Sequence, residues 1–466
     1  MKPSKILFLL STALALAACA VGPDYKKPEV AVPADWRWKK AEPKDALPKG
    51  DWWAVFHDEE LNALMKQAVE NNQELRAALA RVDELRAKSR ANGSQFVPTV
   101  SEDASASRSR TSANAPLPLP VTVPSVTQNA FTVPMDLSYE VDLWGRVRRS
   151  FEASGAEAQA SAADFQNVLL TLTADVATRY FELRELDTEV GILRQTLKLR
   201  DDGVEIQTQR FKVGLIPELD LARAQSEDAT AKSDLADVQR QRAEMESDLA
   251  LLCGQPASTF EVKESPLNDT PPEIPAGLPS DLLERRPDIA RAERTLAARN
   301  AEIGVAYAAF FPTVRLTGQA GYLSMETKDL FDWDSSIWSF GPSISLPLFT
   351  GGRNQANLKS ARAAYNEAVA QYRQQVLVGF RDVETSLSQI QFLDEQSKAE
   401  AEGLVATRKA ASLAEDRYRL GTINYFEVID TERSRLQSER DSAKVLGNRL
   451  IAAVRLIEAL GGGWHS

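Results

Sequence analysis

The side chains best suited to catalysis or metal binding are scarce in this sequence. The 466 residues include two cysteines, Cys19 and Cys253, and two histidines, His57 and His465. These counts exclude a disulfide framework and a histidine-rich metal site. His57 has no serine or cysteine pattern that would complete a catalytic triad, and no glycine-rich loop with Lys-Ser or Lys-Thr is present to bind phosphate. We therefore expect no enzymatic activity, no metal and no cofactor.

One cysteine has a chemical role that its position predicts. Two lysines precede an apolar run at residues 6–18, which is too short to cross a bilayer but typical of a secretory signal. The run ends in Leu-Ala-Ala directly before Cys19, which resembles the lipobox of bacterial lipoproteins. The resemblance implies that residues 1–18 are a signal peptide and that Cys19 carries covalent lipid such as palmitate. Ala20, rather than an aspartate, follows, which favours the outer membrane.

Composition excludes several other classes of protein. The chain has 66 acidic and 55 basic residues, for a net charge of −11, which argues against binding to nucleic acid. Hydrophobic residues at 43% and charged residues at 26% are ordinary for a folded chain. After the signal, no apolar stretch is long enough for a transmembrane helix, so a membrane-spanning segment would have to be a β-barrel.

Four segments have the alternation of β-strands with one apolar and one polar face. The clearest runs from Phe131 to Leu143, and the others lie at 338–348, at 314–322 and, more weakly, around Val100. Alternation by itself does not distinguish a membrane strand from half of a β-sandwich. Export and lipidation favour the membrane.

An internal repeat organises the rest of the chain. Phe-Val-Pro-Thr-Val at 96–100 recurs as Phe-Phe-Pro-Thr-Val at 310–314, and Arg-Phe-Lys-Val-Gly at 210–214 recurs as Arg-Tyr-Arg-Leu-Gly at 417–421. Each half is predicted to run helix, strand, loop, strand, long helix, turn, helix. The predicted divisions are 1–18, signal peptide; 19–60, lipidated N-terminal segment; 61–254, first repeat; 255–280, linker; 281–462, second repeat; and 463–466, C-terminal tail.

The long helices are predicted to form antiparallel hairpins. The segment from Arg146 to Phe211 contains no proline and would form a helix of about 100 Å. In the second half, apolar residues recur every three or four positions from Leu358 to Ile390, a period typical of coiled-coil packing. Gly214 and Gly421 are predicted to occupy the two turns.

Four strands are too few for a membrane barrel, because about eight is the practical minimum and open edges are not tolerated in lipid. We therefore expect an oligomer. Two copies would supply eight strands and three would supply twelve, and geometry alone leaves the number open.

Several long motifs resemble one family. They are Gly-Pro-Asp-Tyr at 22–25, Trp-Trp at 52–53 and Leu-Pro-Ser-Asp-Leu-Leu-Glu-Arg-Arg-Pro-Asp-Ile at 278–289. These motifs resemble the TolC-like outer-membrane efflux channels, in the lipoprotein branch called NodT-type. The resemblance implies a mostly α-helical homotrimer with a twelve-stranded β-barrel in the outer-membrane lipid, continued by a long α-helical barrel in the periplasm.

The family also implies partners and a function. A periplasmic adaptor protein and an inner-membrane pump, expected to be of the RND type, would deliver drugs or other small toxic compounds to a passive channel. One alternative is the exit duct of a type I protein-secretion system. Another is an outer-membrane coiled-coil scaffold lipoprotein without a pore, against which the repeated strand alternation argues.

The resemblance assigns roles to the turns between helices. Phe426 would form an apolar constriction, Asp430 an acidic ring one helical turn further on, and Arg417 with Tyr418 a polar latch. Since Phe426 and Asp430 are four residues apart, they share one helix face. The repeat adds Arg223, which is equivalent in position to Asp430, as a basic partner for it. The tips that would dock the adaptor are Val213, Gly214, Leu215, Leu420, Gly421 and Thr422.

Overall fold

A computed structural model of the chain describes residues 20–39, 50–113, 124–267, 270–277 and 279–462. The predicted signal peptide, Cys19 and the C-terminal tail at 463–466 lie outside the described residues. The chain divides into two compact units. Unit 1 comprises Met1–Pro28, Asp83–Ala160 and Glu293–Gln371, and unit 2 comprises Glu29–Val82, Ser161–Ala292 and Tyr372–Ser466.

Long α-helices dominate the described residues. The α-helices are α1 (Glu59–Asn71), α2 (Gln73–Gly93), α3 (Arg146–Lys212), α4 (Glu218–Leu252), α5 (Leu282–Arg285), α6 (Pro287–Ala308), α7 (Arg353–Arg419) and α8 (Tyr425–Ala459). α3 and α7 each have 67 residues, and α4 and α8 each have 35. Both pairs of helices start 207 residues apart, so the predicted repeat is confirmed. None of these helices has an apolar stretch that could cross a bilayer.

The strands form one antiparallel sheet in unit 1. The strands are β1 (Thr99–Glu102), β2 (Ser105–Arg110), β3 (Thr127–Val141), β4 (Thr313–Ser324) and β5 (Ser336–Ser345). β1 and β2 both pair with β3, so they are two pieces of the weak first strand predicted around Val100. β3 pairs with β4, and β4 with β5. The sheet is therefore four strands wide, as predicted.

β3, the strand with the clearest alternation, ends two residues earlier than predicted. β3 stops at Val141 rather than Leu143 because Asp142 caps the following helix. The Asp142 carboxylate accepts hydrogen bonds from the backbone N–H groups of Val147 (3.0 Å) and Arg148 (2.9 Å). A carboxylate at a helix N-terminus satisfies amides that have no partner within the helix.

Each unit has its own buried contacts. In unit 1, three alanines, Ala156, Ala297 and Ala298, are buried together, with Tyr25 packed against them. In unit 2, a buried cluster joins α3, α4 and α8 through Val190, Leu193, Val238 and Leu436. Within unit 2 the predicted apolar stripe of α7 is buried at residues 372–387, with Tyr372, Val376 and Val383 at 0% exposure and Leu387 at 4%.

Candidate functional site

Both helical hairpins of unit 2 end in the same kind of turn. Gly214 follows α3 with φ +77°, and Gly421 follows α7 with φ +72°. A residue with a Cβ is strained in this left-handed conformation. In each turn, the amide after the glycine donates to the carbonyl five residues earlier, over 2.9 Å. The predicted turn glycines are confirmed at both positions.

The side chains beside these glycines are apolar and face solvent in the protomer. Val213 is 69% exposed, Leu215 is 73% exposed and Leu420 is 79% exposed. Thr422 is also exposed, and its hydroxyl donates to the Arg417 carbonyl at 2.9 Å. Apolar residues clustered at an exposed tip are typical of a surface that contacts another protein.

Tyr418 connects α7 to α3 just before the second turn. Its hydroxyl oxygen accepts hydrogen bonds from Gln207 Nε2 (2.8 Å) and Arg210 Nη1 (2.5 Å). The Arg210 guanidinium lies 5.1 Å from the Tyr418 ring centroid, and the Tyr425 ring lies 5.5 Å from it. The structure thus places Tyr418 in a polar contact between the two hairpins, while the neighbouring Arg417 is exposed.

Phe426 and Asp430 lie on the first turns of α8. Phe426 is 48% exposed and Asp430 is also exposed. The Arg223 guanidinium lies 5.2 Å from the Phe426 ring centroid, at cation–π distance, and Arg223 forms an ion pair with Asp220 at 3.8 Å. Within the protomer Arg223 therefore contacts Phe426. Its pairing with Asp430, which was expected between adjacent hairpins, stays a prediction.

Sequence reasoning missed a buried carboxylate near these residues. Glu227 on α4 is 7% exposed and accepts hydrogen bonds from Arg200 on α3 and Arg433 on α8. Burial favours a raised pKa for Glu227, but the hydrogen bonds and charges of the two arginines outweigh it and lower the pKa. A further ion pair, from Arg440 to Glu189 at 2.5 Å, joins α8 to α3.

The internal repeat gives no signal that identifies Glu227. The position equivalent to Glu227 in the second half is Ser434. Arg433 is likewise equivalent to Ser226, and Arg200 to Thr407. Most other positions of these helices also differ between the halves, so a mismatch does not mark a residue as functional.

The Arg-Arg-Pro-Asp motif has a structural role in unit 2. Arg286 is 8% exposed and donates to Asp288 (2.6 Å), to Asp382 (3.2 Å) and to the carbonyl of Ala459 (2.9 Å). The last bond satisfies a carbonyl at the C-terminal end of α8, where intrahelical partners are missing. The motif therefore holds the start of α6 against α7 and α8.

The Gly-Pro-Asp-Tyr motif anchors the N-terminal segment in unit 1. Val21 N–H donates to the Trp144 carbonyl at 3.0 Å, directly after β3. Each motif residue then contacts a helix: Gly22 lies against Gly304, the Pro23 carbonyl accepts from Asn300 at 2.9 Å, Asp24 accepts from Arg149 at 2.7 Å, and Tyr25 donates to Glu293 at 3.3 Å.

Cys253 and His57 are part of the packing and the backbone turns of the protein. Cys253 is fully buried, its thiol donates weakly to the Leu64 carbonyl, and burial raises its pKa to about 11. His57 ends a short 3₁₀-helix at φ 55°. In the part of the chain that the structure describes, no group of three His, Cys, Asp or Glu residues could hold a metal ion.

Comparison with known proteins identifies the family. Residues 64–255 and 278–462 match the outer membrane efflux protein family. Outer membrane protein OprJ of Pseudomonas aeruginosa is 34% identical, over 99% of this chain and 97% of its own. Cation efflux system protein CusC of Escherichia coli is 30% identical, over the full length of both chains.

A solved structure of a related channel has the same fold. The CmeC outer membrane channel of Campylobacter jejuni superposes with a TM-score of 0.91 at 25% identity, covering 96% of each chain. This likeness confirms the predicted fold class, a mainly helical protein with two structural repeats and a membrane sheet. The chain belongs to the outer membrane efflux protein family, and it is an outer-membrane channel component of an efflux system rather than an enzyme.

Proposed function

We propose that this protein is the passive exit duct of a tripartite efflux system. Three copies would form the duct, a periplasmic adaptor would dock on its helical tips, and an inner-membrane pump of the RND type would supply the substrate and the energy. The export of cations, named for CusC, belongs to that relative. For this chain the expected substrates are drugs or other small toxic compounds.

The sheet of unit 1 supports assembly into a trimer. β1 and β2 form one edge of the sheet, and β5 forms the other. Large apolar side chains on β5 are exposed in the protomer, including Trp338 at 82% and Phe340 at 70%. Open edges and exposed aromatics are unfavourable for a lone chain in a membrane. Pairing of β5 with the first strand of a second copy, repeated three times, would close a twelve-stranded barrel.

The N-terminal segment supports a lipid anchor on Cys19. The next residue, Ala20, lies against Gly145, where a Cβ on the glycine would come within 2.7 Å of the alanine Cβ. Lipid attached one residue earlier would therefore start beside the end of β3. A sheet in the outer membrane and an acyl chain would then anchor the same part of the protein.

The turns of unit 2 support an iris-like gate at the periplasmic tips. In a symmetric trimer, Phe426 would supply three aromatic rings and Asp430 three carboxylates around one axis. Tyr418, bonded to α3, would hold the second hairpin in the closed arrangement. The observation that carries this proposal is the pairing of an exposed aromatic and an exposed carboxylate one turn apart at the tip of α8.

A double variant tests the gate. Phe426→Ala with Asp430→Ala removes both the ring and the charge, so single-channel conductance in planar bilayers should rise. Cells carrying this variant should also become sensitive to large antibiotics such as vancomycin. Unchanged conductance would place the constriction at other residues.

A matched control separates the gate from general effects. Val405→Ala with Glu402→Ala removes one exposed apolar and one exposed acidic side chain from α7, away from the turn. This control should leave conductance at the wild-type value. A rise in the control equal to that of the gate variant would contradict the assignment.

A further inference from the structure

The two faces of the sheet in unit 1 differ in polarity. Alternate residues along a strand share a face, and the pairing register continues unbroken from β1 into β2. One face carries the odd-numbered residues of β3 from Phe131 to Val141, which are all apolar or aromatic, with Leu316 and Trp338 in register. The opposite face carries polar residues such as Asp136. The apolar face is therefore the one that suits lipid.

The apolar row on β3 has the length of a membrane. Phe131 and Val141 are ten residues apart, which is about 33 Å along a strand. At the strand tilt of about 40° found in membrane barrels, this length gives an apolar band about 25 Å tall. Tyr322 lies near the Phe131 end of the row, and its ring centroid is 5.6 Å from that of Phe331. Aromatic residues of this kind mark the edge of the apolar band.

The order of helices and strands shows which end of the sheet faces outward. α2 precedes β1, α3 follows β3, α6 precedes β4 and α7 follows β5, so these helices join the sheet at the end near Val141. The helices of an outer-membrane efflux channel lie on the periplasmic side. The opposite end, where Phe131 lies, therefore faces the outer leaflet.

Two arginines lie on the lipid-facing side just beyond the apolar band. Arg108 pairs with Asn129, two residues beyond Phe131. Arg110 pairs with Thr127, two residues further. Both arginines are exposed in the protomer. A long arginine side chain at this level can lie along apolar surface and place its guanidinium among lipid headgroups.

No ion pair of the described residues includes either arginine. Arg110 Nη2 donates to Ser125 Oγ at 3.2 Å, which leaves most of its donors open. Glu102 is the one acid on this face of the described strands, and it lies six residues from Arg108, about 20 Å along the strand. The sheet therefore presents two uncompensated positive charges at the level of the outer headgroups.

We propose that Arg108 and Arg110 bind a phosphate of lipid A, the phosphorylated glycolipid of the outer leaflet. Two guanidinium groups on one strand face, two residues apart, can both donate to the oxygens of one phosphate. With an acyl chain on Cys19 at the periplasmic end of the sheet, the protein would be attached to both leaflets. This inference rests on the proposed placement of the sheet in the membrane and is independent of the gate.

A double variant tests the phosphate site. Arg108→Gln with Arg110→Gln removes both charges, and lipid A is titrated into the trimer in mild detergent, with binding followed by microscale thermophoresis. The affinity should fall about 25-fold, since a basic residue beside an anionic lipid surface contributes about fivefold. Added salt should weaken binding by the wild type more than binding by the variant. Dephosphorylated lipid A should bind the wild type and the variant equally.

Two further variants separate the site from general effects of charge. Arg86→Gln with Arg362→Gln removes the same charge from exposed positions on α2 and α7, and it should bind lipid A as the wild type does. Arg108→Lys with Arg110→Lys keeps both charges but loses the planar fork of donors. Its affinity should lie between those of the wild type and the glutamine variant.

The failure of the lipid site differs from failure of the proposed barrel. Unchanged affinity for lipid A in the glutamine variant would overturn the site, and so would an equal loss of affinity for dephosphorylated lipid A. Unchanged affinity with a lower temperature of trimer dissociation would assign the arginines to a contact between copies, which also overturns the site. A wild-type protein that stays monomeric in mild detergent would refute the barrel itself.

Discussion

Replacement of Glu458 by glutamine should stabilise the protein at alkaline pH. This carboxylate lies in the last turn of α8, largely buried in unit 2. Burial is the main cause that raises its pKa to about 7, and the negative charges of Asp175 and Asp382 add to it. Arg286 and Arg455 act in the opposite direction but do not compensate. The negative end of the helix dipole also disfavours a carboxylate at this position.

The size of the effect follows from the pKa of Glu458. It rises from 4.5 to about 7 on folding, and each pH unit corresponds to about 1.4 kcal/mol. Since the folded-state pKa of Glu458 is raised, the stability that its protonated form contributes is fully present below pH 4.5. That contribution is lost as the pH increases to 7. The loss is about 3 kcal/mol per protomer. With an unfolding entropy of roughly 2 cal/mol/K per residue, this corresponds to about 3 °C in the thermal midpoint.

Thermal unfolding in mild detergent at pH 4.5 and pH 8 is the assay. Glu458→Gln should match the wild type at pH 4.5 and unfold about 3 °C higher at pH 8. Glu402→Gln, at an exposed position on α7, is the control. It should leave the difference between the thermal midpoints at pH 4.5 and pH 8 at the wild-type value. An equal midpoint for Glu458→Gln and wild type at pH 8 would mean that the carboxylate is solvated in the assembled protein, and the reasoning would be refuted.

Three other predictions concern docking, anchoring and helix packing. Gly214→Trp and Gly421→Trp should abolish efflux, measured as antibiotic susceptibility, because a large side chain would obstruct the adaptor. The amount of trimer should not fall, since a Cβ there meets no atom within 4 Å and the strain of the positive φ costs only about 1–2 kcal/mol. Cys19→Ser should remove palmitate, measured by metabolic labelling, while the strands still insert. Gly447→Ala should lower stability by about 1–3 kcal/mol in thermal unfolding, because its Cβ would lie 2.4 Å from Glu185 Oε2, and Glu185→Ala should relieve the defect.

Each of these has an outcome that contradicts it. Normal export by both tip variants would move the docking site elsewhere, and label retained on Cys19→Ser would exclude lipidation at that residue. For the helix contact, Gly403→Ala is the control, since a Cβ there meets nothing within 4 Å. A loss of stability in this control as large as in Gly447→Ala would show that flexibility of glycine, not contact with Glu185, is the cause.

Much of the architecture is local and could be predicted. Alternation predicted the strand at β3, and the absence of proline predicted α3 to within one residue of its end at Lys212. Glycine was expected at both turns because few other residues adopt a positive φ without strain. The stripe of α7 is buried at residues 372–387, as its period of about 3.5 residues requires. Each of these features is set by residues that lie close together in the sequence.

Formation of the weakly patterned first strand, β1 and β2, depends on pairing with β3. Residues 99–110 have few apolar side chains, so their alternation is faint, yet they form β1 and β2 because β3 offers a complete row of hydrogen-bonding groups. Whether a segment forms a strand therefore depends on the partner strand as much as on the segment itself.

Charge pairing around Glu227 was decided by the tertiary structure alone. Glu227 and Arg433 are 206 residues apart, and nothing in the local sequence of either distinguishes it from a solvated helix residue. Periodicity identifies which residues share a face of one helix, but not which residue of another helix lies opposite. The sequence by itself determined the helices, the turns, the repeat and the family. Packing of α8 against α3 and α4 determined that Arg433 meets a buried carboxylate, because burial is set by all three helices together.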